Sequence, residues 1–93
     1  MTSTKFKSVW DAIEDTPADA ENMKLRSSLM RALERQIRIR EWTQIEAAQR
    51  FGVTQPRISD LMRGRINRFS LDTLVNMVSA AGLHVDMRVA KMA

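Results

Sequence analysis

Five basic side chains lie between residues 50 and 68, with a single acid among them. The basic residues are Arg50, Arg57, Arg63, Arg65 and Arg68, and the acid is Asp60. A guanidinium carries its N–H donors in a planar fork that matches the oxygens of a phosphate. Any one arginine could be a solvated surface charge, but a cluster of them predicts a surface that attracts a polyanion. The predicted phosphate contacts from this cluster are Arg57, Arg63, Arg65 and Arg68.

Side chains able to read the edges of bases lie in the same interval. A glutamine can bond adenine bidentately, a proline can touch a thymine methyl, and a serine can donate or accept. A carboxylate can accept from cytosine N4 or orient Arg57 one helical turn earlier, and for Asp60 we favour the second role. The predicted base-reading residues are Gln55, Pro56, Ser59 and Asp60.

Two short helices joined by a glycine turn are predicted to position these side chains. Thr43 can cap the first helix, because its hydroxyl can accept a backbone N–H while Glu46 reaches back to the cap. Gly52 tolerates the left-handed backbone with which a helix ends. Thr54 is predicted to cap the second helix, and Pro56 falls in its first turn, where no N–H is needed. This arrangement is typical of a helix-turn-helix that places its second helix in the major groove of DNA.

Two further helices are predicted to form the core with this pair. A long helix spans about residue 17 or 18 to residue 40, and a last helix is capped by Ser70 and ended by Gly82. Trp42, just before the Thr43 cap, is predicted to pack in the core rather than to bind a ligand. The predicted apolar stripes of the two helices are Leu25, Leu29, Met30, Leu33 and Ile37, and Leu71, Leu74, Val75 and Val78.

The N-terminal segment differs from the rest of the chain in charge. Residues 1–22 hold two lysines and five acids, a net charge of −3, so residues 23–93 carry +7 of the total of +4. Apolar residues spaced at i, i+3, i+4 and i+7 predict a short amphipathic helix there that ends before Thr16. Its apolar face could pack on the chain's own core or bind a partner protein. The candidate partner-binding residues are Phe6, Val9, Trp10 and Ile13.

The C-terminal segment changes from helical to alternating periodicity. Apolar residues alternate with His84, Asp86 and Arg88, which predicts a half-buried strand. The chain offers no second strand pattern, so we expect the strand to pair antiparallel with that of another copy and form a homodimer. The alternative is a tail packed irregularly on the last helix. The candidate dimerisation residues are Leu83, Val85, Met87 and Val89.

Composition sets the outer limits of these predictions. Ninety-three residues are enough for one domain that is only marginally able to bury its own core. The absence of cysteine and the single histidine argue against an enzyme, a metal site or a cofactor, and the seven methionines are best explained as core filler. No apolar run approaches membrane-spanning length and no secretory leader is recognisable, so we expect a cytoplasmic protein without a membrane partner.

The predicted fold is mainly all-α, with five helices and one C-terminal strand that pairs across a dimer. Residues 1–22 form the acidic N-terminal segment. Residues 23–82 form the helix-turn-helix domain, and residues 83–93 form the dimerisation strand and tail.

The spacing of Ala48, Gly52, Val53, Ile58 and Leu61 resembles the helix-turn-helix of the phage-repressor-like (XRE) family. A further resemblance, to the HigA-like antitoxins, rests on SVWD at residues 8–11, TQPRIS at residues 54–59 and GRINRFS at residues 64–70. Together the two resemblances cover the chain from about residue 9 to residue 89.

The first resemblance implies that Gln44 clamps the DNA backbone with the helix N-terminus, and that a homodimer represses transcription from double-stranded operator DNA. The second implies that the protein also neutralises a small RelE-like ribonuclease toxin. A stand-alone regulator of the phage type, without a toxin partner, is the alternative. The acidic, amphipathic N-terminal segment favours the antitoxin, because it complements a basic ribonuclease.

Overall fold

The structure is a computed structural model that describes residues 16–91. Within that range it has four α-helices and one short 3-10 helix. They are α1 (Pro17–Arg40), α2 (Gln44–Phe51), α3 (Gln55–Met62), the 3-10 helix (Ile66–Arg68) and α4 (Leu71–Ala80). The mainly helical prediction is confirmed, but the count of five is not, because the predicted amphipathic helix near Phe6 lies outside the described residues. None of the helices described is both long and apolar enough to cross a membrane.

Helix α1 begins and ends with local signals. The Thr16 hydroxyl accepts the Asp19 N–H at 3.0 Å, and Pro17 occupies the first turn, where a missing N–H removes no helical bond. At the other end Glu41 has a φ of 56°, in the left-handed region. That conformation lets the Trp42 N–H bond the Ile37 carbonyl at 3.1 Å. The chain therefore turns sharply between α1 and the helix-turn-helix.

The helix-turn-helix forms largely as predicted. Thr43 and Glu46 make the expected capping box, with hydrogen bonds of 3.1 and 2.9 Å. Gly52 ends α2 with a φ of 71°. Thr54 is the N-cap of α3 as predicted and has the extended backbone of a cap, although its side chain makes no capping hydrogen bond. Pro56 in the first turn fixes a helical φ, which supplies another local reason for α3 to begin there.

The core lies where all four helices meet. Helix α1 packs mainly on α4, and α2 packs on both α3 and α4. The buried residues are Met30, Leu33, Ile37, Ala47, Ala48, Phe51, Ile58, Leu61, Phe69, Leu74, Met77 and Val78. Four residues of the predicted stripes are not among them, since Leu25 is 36% and Val75 is 42% exposed and Leu29 and Leu71 are only half-buried. Helix α4 buries Met77 instead, because it turns its Leu74, Met77 and Val78 side towards α1 and α2.

The C-terminal segment departs from its prediction. Helix α4 ends through Gly82, whose φ is 80°, and the Leu83 N–H bonds the Val78 carbonyl at 3.1 Å. From residue 83 to residue 91 the chain is neither helix nor strand. A strand requires a ladder partner, and residues 16–91 of the single chain offer none, so the predicted strand is absent there. The irregular tail, which was the alternative, describes this segment, and its Val85 packs against the core.

Candidate nucleic-acid interface

The N-terminal ends of α2 and α3 lie side by side. Gln44 and Gln55 are the first residues of the two helices, both are exposed, and the Gln55 amide Nε2 donates to Gln44 Oε1. The first-turn N–H groups of a helix have no intrahelical partner and carry the positive end of its dipole. Two such ends, joined through a glutamine pair, form a surface suited to a phosphate.

Helix α3 presents its polar side outward because its apolar side is anchored. Ile58 and Leu61 are buried, whereas Gln55 and Pro56 are exposed and Ser59 is half-buried. A helix held in this way offers short polar side chains near its N-terminus, the geometry that fits a major groove. The structure thus brings three of the predicted base-reading residues together on one surface.

Asp60 lies at the centre of three arginines. Its carboxylate is 3.4 Å from Arg65 Nη1, 3.5 Å from Arg68 Nη1 and 3.9 Å from Arg57 Nη1. We call these four residues the Asp60 cluster. The cluster joins α3 to the basic loop at residues 64–69, so residues from two separate segments share one charged surface.

Arg57 also fastens the basic loop to α3. Its Nη1 donates to the Arg68 carbonyl at 3.1 Å, and its guanidinium carbon lies 5.4 Å from the centre of the Phe69 ring. Phe69 is 2% exposed and belongs to the core. Sequence reasoning missed Phe69, although an apolar residue directly before a helix cap such as Ser70 commonly packs against the helix that follows.

Arg26 of α1 also supports the basic loop. Its Nη1 donates to the carbonyls of Ile66 and Phe69, at 3.2 and 3.4 Å, and its Nε donates to Asn22 Oδ1 at 2.7 Å. Sequence reasoning missed this role, because a lone arginine on a long helix gives no signal of what it contacts. Together Arg26 and Arg57 hold the backbone that carries Arg65 and Arg68.

The remaining arginines differ in their surroundings. Arg63 is exposed at the end of α3, and within the described range no ion pair joins it to Asp60. Arg50 lies over the Trp42 ring, 5.2 Å from its centre. Arg38 pairs with Glu34 at 2.8 Å on the surface of α1. Among these three, Arg63 is the arginine best placed to join the interface.

Trp42 packs as predicted. It is half-buried against the core, with its ring edge-on to Phe51 at 5.9 Å between centres. The contact joins the residue before the Thr43 cap to the last residue of α2, so Trp42 stabilises the first helix of the helix-turn-helix.

The predicted dimerisation residues divide into two groups. Leu83, Met87 and Val89 are 38%, 65% and 90% exposed, whereas Val85 packs against the core. His84 and Asp86 lie 3.3 Å apart on the outer surface. The predicted partner-binding residues Phe6, Val9, Trp10 and Ile13 lie outside the described residues. No group of three or more potential metal ligands is found in residues 16–91.

These features define a helix-turn-helix domain with a basic surface around its second helix. The chain matches the family model described as a helix-turn-helix domain over residues 12–90, and it belongs to that family. No match was found among curated proteins. Membership of this family makes the chain a DNA-binding regulator at the level of class.

Proposed function

We propose that this protein is a sequence-specific transcriptional repressor that binds operator DNA as a homodimer and is not an enzyme. The observation that carries the proposal is the pairing of Gln44 with Gln55 at the adjacent N-termini of α2 and α3. In this proposal α3 enters the major groove. The start of α2 and the basic loop contact the phosphates on either side.

Phosphate contacts supply most of the binding energy in this proposal. Each phosphate neutralised by Arg63, Arg65 or Arg68 releases condensed counterions whatever the base sequence. Gln44 is neutral and adds a hydrogen bond to the DNA backbone, which is likewise independent of sequence. Specificity falls to Gln55. Its amide has two N–H groups and a carbonyl, and one N–H bonds Gln44. The second N–H and the carbonyl remain for adenine N7 and N6.

The C-terminal segment supports the dimer. Leu83, Met87 and Val89 are exposed although apolar. Met87 lines a groove of ≈ 340 Å³ between α1 and α4, together with Val85 and with Leu25, Leu29, Leu71 and Val75 of the two helices. Pairing residues 83–89 antiparallel with the same segment of a second copy would satisfy the backbone groups of both and cover this apolar surface. The resulting two-fold axis suits a palindromic operator.

A selection experiment tests the proposal. The full chain is incubated with a library of random duplexes, and bound DNA is recovered and sequenced. We expect an inverted repeat whose half-sites are centred about 10 base pairs or a multiple apart. A Gln44→Ala, Gln55→Ala double variant is the control and is expected to enrich no motif. Recovery of unrelated sequences by the wild type would contradict sequence-specific binding, and a motif without two-fold symmetry would contradict the dimer.

We propose, as a second activity, that the protein is an antitoxin that neutralises a RelE-like ribonuclease toxin. The observation that favours it is the charge of residues 1–22, which is −3 in a chain that is otherwise +7. Phe6, Val9, Trp10 and Ile13 provide apolar anchors in the same segment. Because the two surfaces have opposite charge, one chain could hold DNA and a basic protein without competition.

The antitoxin is tested by co-expression with the small basic protein encoded beside it. We expect the wild type to protect cells and Trp10→Ala to lose protection, because a buried aromatic anchor commonly contributes about 2 kcal/mol or more to an interface. Binding of both proteins to the selected duplex controls for folding. Full protection by a folded Trp10→Ala variant would remove Trp10 from the contact. The absence of such a neighbouring gene would favour the stand-alone regulator.

A further inference from the structure

We infer that Asp60 is a positioning residue for DNA contact, which holds Arg65 and Arg68 of the basic loop ready for phosphate and does not itself read a base. The inference rests on the proposed DNA-binding function. It assigns a role to the one acid in a strongly basic interval, where a carboxylate would otherwise only repel DNA.

The burial of the Asp60 cluster shows which of its groups can meet DNA. The Asp60 side chain is 14% exposed, whereas those of Arg57, Arg65 and Arg68 are 40%, 43% and 56% exposed. The carboxylate therefore lies beneath its own partners. Oδ1 faces Arg65, and Oδ2 faces Arg57 and Arg68. A cytosine amino group could reach it only after these arginines had been displaced.

The arginines keep donors for a second partner. Arg65 and Arg68 each direct Nη1 towards Asp60, which leaves the other guanidinium N–H groups for phosphate oxygens. Three positive charges surround one negative charge, so the cluster still attracts a polyanion. The same side chain can therefore be held on one side by Asp60 and bind DNA on the other.

The backbone brings the loop back to Asp60. Gly64 has a φ of 70°, and the Arg65 N–H bonds the Asp60 carbonyl at 3.0 Å. Arg65 is thus held to Asp60 through both backbone and side chain. A long side chain that is already restricted loses less rotamer freedom when it binds, so Asp60 raises affinity although its charge opposes it.

Asp60→Asn tests this inference because the two explanations predict opposite signs. If Asp60 only repels DNA, the neutral variant binds more tightly. If Asp60 positions the arginines, the variant binds more weakly, by about fivefold or more for two arginines that must be ordered on binding. Affinity is measured by fluorescence anisotropy on a mixed-sequence duplex and on the selected duplex, at several salt concentrations. Circular dichroism establishes that each variant is folded at the temperature used.

Two comparisons separate positioning from charge and from folding. Asp72→Asn removes the same charge from an exposed residue of α4 that makes no ion pair within residues 16–91, and it is expected to leave affinity unchanged or slightly higher. Arg68→Gln should be non-additive with Asp60→Asn in DNA binding, because the two residues act together. Arg63→Gln should be additive with it. If Asp60 only stabilised the fold, Asp60→Asn would lower the affinity for DNA by the same factor when combined with Arg68→Gln as when combined with Arg63→Gln.

The outcomes distinguish the inference from the function on which it rests. Weaker binding by Asp60→Asn with coupling to Arg68 supports the inference. Tighter binding by Asp60→Asn, matching Asp72→Asn, would overturn the inference and leave the DNA-binding function intact. Failure of the wild type to bind either duplex would overturn both.

Discussion

The Gln55 side chain has to meet two requirements at once. It bonds Gln44 across the turn, and it stands exposed at the first position of α3, where base edges would lie. An alanine there would lose both the fixed amide and the hydrogen bonds to a base. The arginines of the basic loop have a simpler task, since a phosphate contact is the same on every sequence.

We therefore expect Gln55→Ala and Arg65→Ala to fail in different ways. Gln55→Ala should cost about 1–3 kcal/mol at one base position of each half-site and little on scrambled DNA. Arg65→Ala should weaken binding to both duplexes and lower the salt slope by roughly one for each phosphate that is no longer neutralised. Titrations of the selected and scrambled duplexes at several salt concentrations decide this. Equal losses on both DNAs for Gln55→Ala would exclude it from base reading.

The residues that sequence predicted best are those whose roles depend on near neighbours. Thr43 and Glu46 form their capping box, and Gln55 starts its helix, because each signal is contained within a few residues. Arg26 was missed because its contacts join segments about forty residues apart, for which sequence spacing gives no signal, whereas Phe69 was missed although its place directly before the Ser70 cap is a local signal. Asp60 lies between these cases. Its link to Arg57 could be predicted from helix spacing, and its links to the loop could not.

At the scale of elements, the end of α1 carries an unfavourable residue. Glu41 adopts a left-handed φ of 56°, which crowds a side chain that has a Cβ, and its negative charge lies at the negative end of the helix dipole. Glycine is the residue that most often occupies this position. The turn is kept because the Ile37 and Arg38 carbonyls accept the Trp42 and Glu41 N–H groups.

Glu41→Gly is accordingly expected to stabilise the protein. The gain in free energy of unfolding should be about 1 kcal/mol, since relief of backbone crowding exceeds the added flexibility of the unfolded chain. Urea denaturation followed by circular dichroism measures it. Arg35→Gly, in the exposed middle of α1, is the matched control and should destabilise by about 1 kcal/mol. A loss of stability in Glu41→Gly would mean that its side chain makes a stabilising contact.

The sequence predicted where the helices begin and end because those signals are local. It did not predict which face of a helix is buried, because that depends on where the other helices lie. Ser70 and Gly82 mark the limits of α4 correctly. The choice between Val75 and Met77 as a core residue depends on where α1 and α2 lie relative to α4, which periodicity alone does not determine. Both residues are apolar, so either face of α4 was compatible with the pattern.

At the scale of the whole molecule, residues 83–91 have the sequence pattern of a strand but no partner strand within the described part of the single chain. Their alternation is that of a strand, yet in the single chain they are irregular and leave Leu83, Met87 and Val89 exposed. The sequence predicted that a partner strand would come from a second copy, and it could not say whether the segment is already a strand in the single chain. In the proposed homodimer, the conformation of this segment would be set by pairing with the second copy.

Deletion of residues 83–93 is expected to give a monomer. The deletion removes the only predicted strand and the apolar residues beside the α1–α4 groove, while most of the core remains. Affinity for an inverted repeat should fall through loss of bivalency, and affinity for a single half-site should change little. Sedimentation equilibrium and titration of both DNAs measure these effects. A dimer that survives the deletion would place the interface elsewhere.

The packing of α1 on α4 has a consequence for how the chain is made. Leu33 of α1 is completely buried in a core to which Leu74 and Val78 of α4 contribute, so α1 is covered by a helix that is synthesised later. A ribosome adds about 5–20 residues per second, whereas a helix forms in about a microsecond or less. Folding of the complete core therefore waits on synthesis. For a period on the order of seconds after α1 has been synthesised, its apolar stripe is therefore not yet buried against α4.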